Sequence, residues 1–87
     1  MAEIIVKTVI KGGPGKVVIT RHGFPDIDID QTGSQTMQFE EGDHYLMVLG
    51  VPSNDGSIEV SFHQGDENLA SHTYKSAASI MFKLEVK

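Results

Sequence analysis

Apolar residues fall on every second position in most segments of this chain. Near its C-terminal end Ile80, Phe82, Leu84 and Val86 alternate with Met81, Lys83, Glu85 and Lys87. A period of two marks a strand with one face buried and the other in water. No window carries a helical period, so the pattern predicts an all-β chain.

The first predicted strand, residues 3–11, puts Ile4, Val6 and Ile10 on one face and Ile5 and Val9 on the other. Two apolar faces imply burial on both sides, or an edge covered by a partner. Gly12, Gly13, Pro14 and Gly15 then form a turn, expected to be a hairpin, because glycine permits positive φ and proline fixes its own. A strand over 16–22 alternates Val17 and Ile19 with Val18 and Thr20. After a break at 23–25, residues 26–30 direct isoleucines inward and carboxylates to solvent. Residues 31–34 read as a loop, and 36–40 as a short strand with Met37 and Phe39 inward.

The most apolar stretch is 44–51. Tyr45, Met47, Leu49 and Val51 share one face, and Leu46 and Val48 share the other. This predicts a central strand, with Met47 assigned to the core. Residues 52–56 carry the turn chemistry of a hairpin loop. Residues 57–63 alternate with Ile58, Val60 and Phe62 inward. After a turn at 65–68, residues 69–74 form a strand or irregular edge that leads to the last strand. The expected core is Ile19, Ile29, Phe39, Met47, Val60, Phe62, Phe82 and Leu84. Seven or eight short strands about ten residues apart predict one domain over 1–87, an antiparallel β-sandwich.

The chain has 87 residues and no cysteine. A domain of this size buries only roughly 60–65% of its unfolded surface, so the core is thin. No disulfide supplements it. Good packing or partner subunits must supply the rest. The net charge of −5 opposes binding to nucleic acid and to anionic membranes. The start, Met1-Ala2-Glu3-Ile4, lacks a signal-peptide pattern. No apolar run approaches the roughly 20 residues that span a bilayer, so membrane insertion is not expected.

Candidate chemistry changes this picture little. Asp26, Asp28 and Asp30 share a strand face, an arrangement that could collect calcium. They lack the glycine turn and distal glutamate of an EF-hand loop. A solvated face that also discourages edge-to-edge pairing explains them. His22, His44, His63 and His72 match no zinc spacing. Asp43 beside His44 has no serine in a nucleophile-elbow motif. The glycine-rich turn lacks the spacing of a phosphate loop, and no helix follows it. No enzyme activity, cofactor or metal is therefore expected. Phe24 lies in the loop Arg21-His22-Gly23-Phe24-Pro25. There it is a candidate contact residue or a plug for one end of the sandwich. Ile5, Val9 and Phe24 are the candidate interface residues.

Thr32-Gly33, Met37-Gln38-Phe39 and the run from Gly42 to Val48 resemble the "T-x-G … F-x-L … G-x-Y-x-V" stretch of carboxypeptidase-regulatory-like and transthyretin-like modules. Two residues rather than one separate Gly42 from Tyr45. The resemblance implies an immunoglobulin-like sandwich, with Tyr45 as the corner tyrosine. It also implies an accessory or adhesive role without catalysis. The resulting expectation is a non-enzymatic protein-interaction or structural module that docks on a protein partner or on itself. It would be a subunit of a larger assembly of virion, tail or secretion-apparatus type. The alternative is a carbohydrate-binding or calcium-dependent adhesion module.

Overall fold

The alternation becomes eight strands in a computed structural model that describes every residue from Met1 to Lys87. They are β1 (Ala2–Lys11), β2 (Lys16–Thr20), β3 (Ile27–Ile29), β4 (Gly33–Phe39), β5 (Gly42–Val51), β6 (Ser57–Gln64), β7 (Glu67–Tyr74) and β8 (Ala78–Val86). One antiparallel sheet has the order β4-β1-β6-β7, and the other β3-β2-β5-β8. The fold is therefore all-β, two packed four-stranded sheets. The strand predicted from 36 begins at Gly33, so the expected loop at 31–34 is shorter.

Sixteen apolar side chains from both sheets form the core between them. Seven of the eight residues expected there are buried. The exception is Met47, which is 38% exposed. Leu46 and Val48 point inward instead. Tyr74 accounts for this phase. It crosses from β7 to lie on Gly50 of β5, where an added Cβ would come within 2.5 Å of its Cγ. Its hydroxyl donates to the Val48 carbonyl at 2.6 Å. Glycine is the residue that admits so close a ring. With Gly50 held inward, parity turns Tyr45, Met47, Leu49 and Val51 outward.

Strand β1 is not an edge. It pairs with β4 along one side and β6 along the other. Its outer face carries Ile5 and Val9, which remain half-buried. Just before β4 begins, Thr32 continues the pairing: its Oγ1 accepts from Ile10 N at 2.9 Å.

Two expected hairpins are crossovers between sheets. Residues 12–15 join β1 to β2, and residues 52–56 join β5 to β6; in each case the two strands belong to opposite sheets. The same turn residues serve a hairpin and an arch, so local chemistry does not separate them. The two arches lock together. Gly12 has φ 80°, and a Cβ there would lie 2.7 Å from the Gly56 Cα. The Ser53 hydroxyl donates to the Gly12 carbonyl at 2.9 Å.

Removing the cross-sheet tie should be measurable in urea. We expect Tyr74→Phe to cost about 1 kcal/mol through the lost hydrogen bond, and Gly50→Ala about 1–3 kcal/mol through overpacking. Burial pushes the Tyr74 hydroxyl up to about 12 from 10.0. The unfolded chain therefore ionises first. The stability that neutral Tyr74 contributes is complete below pH 10 and is lost as the pH rises through about 12. The urea midpoint should fall less over that window in Tyr74→Phe than in the parent; equal falls would rule out this role for Tyr74.

Candidate interaction surface

The outward residues of β5 form the centre of an apolar face. Antiparallel register places Met47 between Thr20 of β2 and Met81 of β8, and Leu49 between Val18 and Ser79. Tyr45 lies opposite Lys83, and Val51 opposite Lys16. Tyr45 is 58% exposed, Val51 39% and Met81 61%. Val18 and Leu49 are half-buried among them. Monomers rarely expose contiguous apolar groups of this kind without a use for them.

Charges frame the face at its ends. Lys83 Nζ lies 3.8 Å from Asp43 and 3.5 Å from Glu85 at the Tyr45 end. Asp43 foremost, with Glu85 assisting, raises the Lys83 pKa. At the Val51 end stands Lys16, and Asp28 of the short β3 borders one side opposite Val18. The outer face of the other sheet is different. Ile5 there lies between Thr36 and His63, and Val9 opposite Glu59. Lys7 lies between Ser34 and Ser61, and His63 Nε2 is 2.8 Å from the Ser61 hydroxyl. Ile5 and Val9 are thus isolated among polar neighbours, while the β5 residues are continuous.

Phe24 is 55% exposed and stands at one end of the sandwich. Its loop is closed by a hydrogen bond from Phe24 N to the Arg21 carbonyl at 3.1 Å. The Arg21 guanidinium lies 3.8 Å from the centre of the Phe24 ring and 4.0 Å from that of Phe39. Arg21 also donates to the Gln38 carbonyl at 2.9 Å. Burial lowers its pKa. His44 extends the stack, edge-on to Phe39 at 5.0 Å, with Nε2 donating to the Glu40 carbonyl at 2.7 Å. Two clefts of 360 and 450 Å³ meet at Arg21 and Phe24. The first runs toward Ile27 and Met37, the second toward His22 and Tyr45. Phe24 is both exposed and stacked, combining its two expected roles.

Structure does not gather the other candidates. No three His, Asp or Glu side chains converge as a metal site. The chain also has no helix long and apolar enough to cross a membrane. Tyr45 lies on the outer face, and the buried tyrosine whose hydroxyl reaches a backbone carbonyl is Tyr74. Sequence reasoning grouped Tyr45, Met47, Leu49 and Val51 correctly but assigned Met47 to the core. Gly50 was the available signal. It shares parity with Leu46 and Val48, and a strand glycine marks close approach. Nothing matches the chain among family models, curated proteins or solved structures.

The Arg21 stack should hold the β2–β3 loop to β4. Arg21→Met keeps most of the side-chain volume and removes both ring contacts of the cation and its hydrogen bond. We expect a loss of about 1–2 kcal/mol in urea denaturation. A loss below a few tenths would show that the stack is not a stabilising contact.

Proposed function

We propose that this chain is a non-enzymatic interaction or structural module, which docks through the outer face of β2, β5 and β8 as a subunit of a larger assembly. The observation that carries the reading is the row Tyr45, Met47, Leu49 and Val51, joined by Val18 and Met81 across paired strands. Fully covering one large apolar side chain is worth about 1.5–3 kcal/mol by area. Several together are large beside a core of sixteen residues. The face replaces Ile5 and Val9 as the main contact, with Phe24 at its margin near Tyr45.

Three polar side chains that could carry chemistry are engaged locally, which fits a role without catalysis. Arg21 is stacked and bonded, His44 donates to Glu40, and His63 meets Ser61. The immunoglobulin-like part of the proposal concerns architecture: two packed antiparallel sheets of short strands. In constant-type immunoglobulin domains the first two strands share a sheet, whereas β1 and β2 here lie in opposite sheets. The proposed kinship with carboxypeptidase-regulatory-like modules therefore rests on the motif stretch and the two-sheet form.

The test is capture on immobilised protein, comparing the parent with Met81→Asp, at a position already 61% exposed. The variant should melt within a few degrees of the parent, since surface changes usually cost under about 0.5 kcal/mol. It should lose bound protein, whether a different chain or the same one. If the folded variant retains everything that the parent retains, docking through this face is refuted.

A further inference from the structure

We propose that the occupant of this face is a second copy of the chain, seated face to face about a two-fold axis that crosses the strands at the level of Thr20, Met47 and Met81. This rests on the docking reading above and specifies its partner. The register divides the face into rows. Asp43 and Glu85 form one end row, and Tyr45 and Lys83 the next. Thr20, Met47 and Met81 lie in the middle. Asp28, Val18, Leu49 and Ser79 follow, and Lys16 with Val51 closes the other end. The middle row is thus the centre of a five-row pattern.

Two sheets can face each other about an axis in their common plane in two simple ways. An axis along the strands stacks each row on itself, bringing Asp43 and Glu85 onto their own copies and Lys16 onto Lys16. An axis across the strands reverses the rows. Lys16 of each copy then meets the Asp43 and Glu85 row of the other. Asp43, Glu85 and Lys83 together leave one end at −1; at the other end Lys16 stands beside the row of Asp28, which in the reversed arrangement meets the Lys83 row of the partner. Charge order therefore selects the reversed arrangement, because like charges opposed across an interface disfavour it. The apolar rows agree with this choice. Met47 and Met81 meet the same row of the partner, and Tyr45 meets the row of Val18 and Leu49. A two-fold contact of this kind is self-complementary and closes at two copies, without propagating into a fibre.

The face is of modest size. Strands of three, five, ten and nine residues, about 4.8 Å apart and rising about 3.4 Å per residue, give roughly 440 Å² in projection. That lies below the roughly 800 Å² per partner of a standard interface, so the pairing is weak and concentration-dependent. Aligned sheets pack face to face about 30° apart, which suits rows that meet diagonally.

Sedimentation equilibrium over a concentration series tests this directly. The parent should shift with concentration from 9.5 kDa toward twice that mass, and no further. Met47→Asp sets two carboxylates beside the axis and should leave a folded monomer; Met81→Asp should do the same. Lys16→Glu should weaken dimerisation at least tenfold. Adding Asp43→Lys and Glu85→Lys to it should restore dimerisation, a rescue that only the reversed arrangement allows. Ile5→Thr with Val9→Thr should leave association intact. A parent that stays at 9.5 kDa at every concentration, a dimer indifferent to both aspartate variants, or a charge reversal without rescue would each overturn the proposal. If the parent is monomeric but Met81→Asp still abolishes capture of another protein, self-pairing alone fails. If neither association nor capture depends on the face, the docking reading fails with it.

Discussion

Tyr74 lying on Gly50 is the contact from which the rest of this fold follows. The ring belongs to the edge strand of one sheet and rests on the backbone of a central strand of the other. Its hydroxyl ends on the Val48 carbonyl. One side chain thus fills the core, satisfies its own polar atom and sets which way β5 faces. Any residue larger than glycine at position 50 would push the sheets apart or displace the ring.

That phase has a consequence on the outside. A strand with apolar residues on both faces must bury one set and expose the other. Here the inner set is Leu46, Val48 and Gly50, and the outer set is larger in side-chain volume. The small inner residue admits Tyr74, and the large outer ones leave an apolar face. Interior packing and surface adhesiveness are two results of the same parity. The polar outer face of the opposite sheet supplies the contrast. There Ile5 and Val9 stand alone between lysine, serine, threonine and glutamate.

Away from the sheets, stability is carried by backbone contacts and one stacked cation. The arches at 12–15 and 52–56 approach so closely that neither Gly12 nor Gly56 has room for a Cβ. At the other end Arg21 is held between Phe24 and Phe39 and pinned to Gln38. Such end closures suit a thin core, because they exclude water from the rims of the sandwich.

Strand identity and the two-sheet class were legible in the chain, because alternation has a period that only a pleated strand satisfies. Most of the core followed, since Phe39, Val60, Phe62 and Leu84 alternate with polar residues that leave a single choice of face. The β5 residues offered no such choice, and Met47 was assigned inward. Only the tertiary structure settled its direction, through a ring arriving from a strand more than twenty residues away. Sheet membership was likewise beyond the sequence: glycine, proline and asparagine say that the chain turns, and not whether it returns within one sheet or crosses to the other. β1 showed two apolar faces in sequence, but its place between β4 and β6 depended on pairings that no local pattern encodes. The sequence determined periodicity, which is local. The structure decided parity and pairing, which depend on what packs against each strand.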